Sequence, residues 1–184
     1  MDVHEAINNR RSVREYTAEG VDEMLIRRLI DAAIHAPNAV NRQPWAFTVV
    51  RDGAVLDHIA SAAKTHAIES MKLSDHLRNR LKDPDFHILY HAPALIVISA
   101  MEAEPWAVED CALAAENLML AAYAEGLGSC WIGFAQGYLN TPEGKRTLRL
   151  ATDRIPLAPI IVGHPAATAT EIVARKQAEI GWIG

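Results

Sequence analysis

From about Val108 to Glu125 the chain is apolar on nearly every side of a 3.6-residue period. A helix of that kind belongs in the middle of a fold, since a surface helix keeps one polar face. The most apolar run, Ala112 to Ala124, is too short to span a bilayer and is interrupted by Glu116 and Asn117. Gly126 stands where the C′ residue of such a helix is expected. The remaining sequence must therefore supply layers that cover this helix.

Those layers are legible as alternating periods. Val3, Ala6 and Ile7 predict a short helix over 2–9, and Leu25, Ile26, Leu29, Ile30 and Ala33 predict a second over 22–35. Asp22 is the expected N-cap, and Pro37 ends that helix. Ala46 to Arg51 and Leu95 to Ser99 are β-branched runs between turn residues and read as buried strands. Between them Ala54 to Leu81 reads as helical, with mixed charge in its second half and Asp83-Pro84-Asp85 as a breaker, and suits a flap. A short strand near Ser129 to Ile132, a helix opened by Thr141-Pro142 and a strand over 158–162 complete the pattern. Interleaved strands and helices give an α+β or α/β class.

At 184 residues, half of them apolar, the chain is long enough for one well-filled core. With no repeat or long linker, 1–184 is expected to be a single domain, its thin polar segment from Ala166 onward wrapping a partner. A net charge of −5 offers no general field for nucleic acid or an anionic membrane surface, so an anionic ligand needs a local cationic cluster. Cys111 and Cys130 lack zinc-type or redox-motif spacing, and the first residues lack a signal-peptide pattern, which together predict a cytoplasmic protein with reduced thiols. His87 and His91 are spaced i, i+4 but lack an accompanying Glu motif, so no metal is expected.

Three segments carry candidate chemistry. Arg10-Arg11-Ser12-Val13-Arg14 gathers three guanidiniums and a hydroxyl, the donors that fork onto phosphate oxygens. Taken alone, the same arginines suit a solvated helix C-terminus better than a phosphate site. Ala36 to Trp45 is a loop fenced by prolines, whose Asn and Gln amides suit the polar edge of a heterocycle or an ordinary helix-to-strand turn. Gly126 to Phe134 is rich in glycine, but it lacks the GxGxxG spacing and follows a helix, which excludes the dinucleotide fingerprint. Gly133 permits a flat ligand to approach the backbone closely.

Together, in this order, the segments resemble the nitroreductase family: Arg-Arg-Ser-x-Arg, Pro-Asn-x-x-Asn-x-Gln-Pro-Trp, Ala92-Pro93, Glu109-Asp110, Gly-Leu-Gly-Ser-Cys-Trp-Ile-Gly, and Ile160 to Pro165. The resemblance covers essentially the whole chain. It implies an α+β three-layer fold with a mostly antiparallel central sheet, and a homodimer with two shared FMN sites. It implies that Arg10, Ser12 and Arg14 hold the FMN phosphate, ribityl chain and pyrimidine edge, with Arg11 in support. Pro37, Asn38, Ala39 and Asn41 would come from the other subunit. Trp131, Ile132 and Gly133 would lie along the isoalloxazine, with the Gly133 amide near flavin N5, and Arg175 in the tail would reach the phosphate. The implied activity is hydride transfer from NADH or NADPH through FMN to a small acceptor such as a nitroaromatic or quinone, without a protein nucleophile. The alternative is an FMN-binding storage or sensing protein. The sequence departs from the common family pattern at Asn38, Phe134 and Gln177.

Overall fold

The computed structural model describes residues 2–167 and 174–184. Four strands, β1 (Trp45–Val50), β2 (Ala94–Ala100), β3 (Gly128–Trp131) and β4 (Ile155–Gly163), form one sheet in the order β1-β2-β4-β3, every neighbouring pair antiparallel. Strand β2 is buried along its whole length, so both sheet faces are covered and its side chains read as a continuous apolar run. Ile96, Ile98, Ile160 and Val162 point to one face, Leu95, Val97 and Ile161 to the other. Two cores therefore lie back to back across the sheet.

The first core takes α2 (Glu23–Ile34) and α5 (Ala107–Ala124). Asp22 caps α2 by accepting from the Met24 amide at 2.7 Å, as the sequence predicts. Helix α5 ends where expected, with Leu127 N donating to Ala122 O and Gly126 N to Tyr123 O, the paired bonds of a Schellman turn. It is central but only one of its faces is covered: Ala114, Ala115, Leu118 and Ala122 are fully buried, whereas Val108 and Leu113 are exposed. Trp106 before it, and Val3 and Ile7 on the adjoining α1 (Val3–Asn9), are exposed as well.

The second core takes α3 (Gly53–Ser70) and α6 (Gly133–Leu139), with Leu148 just past α7 (Pro142–Thr147). The expected helix Ala54–Leu81 is two helices: α3 stops at Ser70, and α4 (Asp75–Lys82) restarts with Ser74 as N-cap. Its first half is no flap, since Leu56, Ile59, Ala60, Ala63 and Ala67 are buried in this core. Helix α6 was not predicted, being short and carrying Gly133 and Gly137. Strand β4 is longer than the expected 158–162, running through Pro156 and Pro159. Proline cannot donate to a ladder, and the β2·β4 register shifts between Ile98 and Ser99, beside the pair Ser99↔Pro156. No helix among the described residues is long and apolar enough to cross a membrane.

Candidate functional site

The arginine segment leaves α1 and runs along the free edge of β3. Ser12 pairs with Ser129 as a parallel bridge, and Val13 N donates to Ser129 O at 3.0 Å. Further along, Thr17 N donates to His164 O at 2.9 Å and Ala166 N to Glu15 O at 3.0 Å. Two glycines make room for it. A Cβ on Gly128 would lie 2.7 Å from Val13 Cβ, and one on Gly163 would lie 2.7 Å from the Tyr16 ring and 2.6 Å from Pro93. The steric demand in the glycine-rich motif thus falls on Gly128, which seats the arginine segment; a Cβ on Gly133 would meet no protein atom.

This docking fixes where the cations go. Arg10 is largely buried, with Nε 3.8 Å from Glu116 Oε1. Arg11 folds back, its Nη1 donating to Asn8 O at 2.7 Å and Arg10 O at 2.8 Å, and so closes the end of α1. Ser12 and Arg14 are exposed. Arg14 lies at the rim of a cavity of about 360 Å³ walled by Tyr90, Cys130, Trp131, Ile132, Gly133 and Phe134, with Met71 and Ile88. Its guanidinium is 6.0 Å from the Tyr90 ring centroid, at the outer limit of a cation–π contact. Met71, Ile88 and Tyr90 were not singled out from the sequence; they come from the long segment between β1 and β2, whose apolar residues carry no signature of a ligand wall.

Neither thiol is a nucleophile in waiting. Burial pushes Cys130 up, opposed by Arg14, Ser12 and Arg10. Burial, reinforced by Asp110, pushes Cys111 up to about 12. Both stay protonated near neutral pH.

The 37–45 loop is elsewhere in the chain: none of Pro37, Asn38, Ala39 or Asn41 lines the cavity. A 3₁₀ turn, Ala39–Asn41, opens after Asn38, and Val40, Asn41 and Gln43 all have positive φ, at 46°, 55° and 50°. Side chains hold this backbone. Ala39 N donates to Asp110 Oδ1 at 3.1 Å, Gln43 N to Asn38 Oδ1 at 2.7 Å, and Arg42 pairs with Glu104. Arg175 lies in the exposed stretch 174–184, outside any helix or strand. Part of the tail expected to wrap a partner, residues 168–173, lies outside the described residues.

A second polar cluster gathers Asp57, His87 and His91. His91 N donates to His87 Nδ1 at 3.2 Å, which makes Nδ1 an acceptor and leaves the proton on Nε2, 3.3 Å from Asp57 Oδ1. The two imidazoles are stacked at 4.1 Å and 25°, and Lys64 adds a cation to the same surface cavity. The arrangement pairs a histidine with a carboxylate, and one nitrogen or oxygen atom from each of the three side chains lies within 4.8 Å of the others.

A family model described as the Nitroreductase family matches residues 7–164. A protein of Methanothermobacter thermautotrophicus described as an NADH dehydrogenase/NAD(P)H nitroreductase is 35% identical over 171 residues, covering 90% of this chain and 78% of that protein. An iodotyrosine deiodinase of Haliscomenobacter hydrossis is 27% identical over 189 residues, covering 91% of this chain and 81% of its own length. Among solved structures, a nitroreductase of Bacteroides fragilis with bound FMN superposes with a TM-score of 0.82 at 28% identity, covering 100% of this chain and 98% of that one.

Proposed function

The chain belongs to the nitroreductase family, and from that premise we propose that it is an FMN-dependent oxidoreductase. It takes reducing equivalents from NADH or NADPH and passes them to a small organic acceptor such as a nitroaromatic or a quinone. One observation carries the reading: a cavity with an apolar wall of Trp131, Ile132 and Phe134 and the Arg14 guanidinium at its rim. That combination fits a flat ring system with one polar edge. Space beside Gly133, where even a Cβ would touch nothing, leaves room for the ring to approach. The FMN held by the Bacteroides fragilis relative supports the choice of flavin.

FMN, when bound, supplies the two-electron chemistry that no side chain of this protein has. The protein's own part is to grip, orient and shield. Arg10, Ser12 and Arg14 take the phosphate, ribityl chain and pyrimidine edge, and Arg11 keeps the end of α1 closed behind them. Gly133 presents a first-turn amide of α6, which has no acceptor within the helix, toward the ring. Trp131 and Ile132 exclude water from one side of it.

In this reading the site is completed by a second copy, whose Pro37, Asn38, Ala39 and Asn41 close the ring's far edge. The apolar residues left uncovered on α1 and α5 are what such a copy would bury. Residues 1–184 act as one cytoplasmic domain, with the tail laid over the partner so that Ile180 and Trp182 are covered and Arg175 reaches the phosphate. Light scattering should give twice the 20.2 kDa chain mass.

The relatives do not fix the acceptor, since their descriptions include a nitroreductase and an iodotyrosine deiodinase. A flavin store or sensor is the second reading, favoured by Phe134 on the cavity wall. One experiment separates them: the visible spectrum of FMN-loaded protein before and after NADH or NADPH, then after a nitro compound or quinone. Rapid bleaching and reoxidation support the enzyme. Slow bleaching marks a store, and a colourless protein after FMN loading rejects flavin altogether.

A further inference from the structure

Asp110 is buried on the first turn of α5, 5% exposed. A carboxyl group placed there loses its water and must find a donor. The hydrogen bond recorded for its side chain, among the described residues, comes from the backbone amide of Ala39 at 3.1 Å. Nothing in the packing of α5 on the sheet asks for a carboxyl group at this position; its buried neighbours Ala107, Cys111 and Ala114 are all small and apolar. The polar group is explained by the loop it reaches.

That loop needs holding. Non-glycine residues at positive φ cost of order 1 kcal/mol or more each and persist only where surroundings impose them. Val40, a β-branched residue at φ 46°, is the clearest case. Asn38 closes the loop from within by accepting from Gln43 N, and Asp110 anchors it from outside. The anchor falls on Ala39, the residue directly before the strained pair.

We infer that Asp110 is a positioning residue for flavin binding: through the Ala39 amide it sets the conformation in which loop 38–43 meets the ring. The inference rests on the flavin reading above. The bond needs an acceptor oxygen, not a charge, so Asp110→Asn keeps it and Asp110→Ala removes it. Ala39→Pro deletes the donor from the other side. Asn38 already has the extended geometry, φ −150° and ψ 156°, that a residue before proline requires, and the first position of a helical turn accepts proline.

The test has two arms. In the ligand-free protein, amide exchange of residues 38–43 should accelerate about tenfold in Asp110→Ala and in Ala39→Pro, and return near wild type in Asp110→Asn. In the FMN arm, fluorescence titration should show Kd rising about tenfold in Asp110→Ala and Ala39→Pro, no further in the double variant, and restored within about threefold by Asp110→Asn. Riboflavin, which has the ring without the phosphate, should lose affinity by the same factor. Unchanged loop exchange, losses that add in the double variant, or failure of Asn to rescue would overturn the inference. If wild type binds no flavin, the functional reading fails, and the exchange arm alone decides whether Asp110 holds the loop.

Discussion

The two segments proposed to meet the same cofactor are built on opposite principles. Arg10–Thr17 is stitched by main-chain bonds to Ser129 and His164 and seated against two glycines. Loop 38–43 has left-handed residues at three positions and is held by side chains from Asn38, Asp110 and Glu104. The first geometry follows from the sheet; the second depends on a few polar groups. A site that spans the two has one rigid jaw and one that single substitutions can loosen.

The sharpest way to break this contrast is Gly128→Val, which places a branched side chain where Val13 Cβ already stands 2.7 Å from an added Cβ. Overpacking of this kind costs about 3 kcal/mol, roughly 10 °C in Tm for a chain of this size, and the arginines should leave the edge of β3. Wild-type FMN affinity in that variant would show that the edge does not set the site. Next, Arg10→Ala should weaken FMN by about 1.5–3 kcal/mol, tenfold or more in Kd, if the guanidinium bonds the phosphate. Unchanged affinity would remove it from the site.

Tyr16 tests the stitching with pH. Its hydroxyl donates to Val13 O at 2.7 Å, and burial pushes its pKa far above the ordinary 10.0. Unfolded, the phenol ionises near the ordinary value; folded, it keeps its proton. Its stabilisation is therefore intact below about pH 10 and is lost progressively as pH rises beyond. Tyr16→Phe should cost about 1 kcal/mol at neutral pH and flatten the alkaline fall in urea midpoint. Equal slopes in both proteins would sink that account. The smallest effect belongs to the loop: Val40→Gly relieves the left-handed strain but loses chain entropy, for a net gain below about 1 kcal/mol. A clear loss of stability in a thermal melt would mean Val40 is not strained.

The same contrast explains what could be read from the sequence. Helix α5, the Asp22 cap and the apolar strands announce themselves because period and capping are local signals. The arginine cluster was visible by charge, but the reason it sits where it does was not. Gly128 matters only because Val13, far away in sequence, lies against it. In the sequence Asp110 stands out only as part of the Glu109-Asp110 pair, since nothing near it reveals a bond spanning 71 positions. The break between α3 and α4 was missed because Ser74 is a modest cap within a charged run, and α6 because two of its residues are glycine.

The sheet order has a consequence in time. Strand β4 follows the other three strands in the chain yet lies between β2 and β3, and the arginine segment, which precedes all four, bonds to Ser129 and His164. A growing chain must therefore carry its cationic segment undocked until Ser129 and His164 have been made, since these non-local pairings close only when the distant strands arrive. Ribosome-stalled chains ending before residue 155 should retain no FMN. Cofactor binding at this site would then wait for β4, even though the residues proposed to grip the phosphate precede every strand of the sheet.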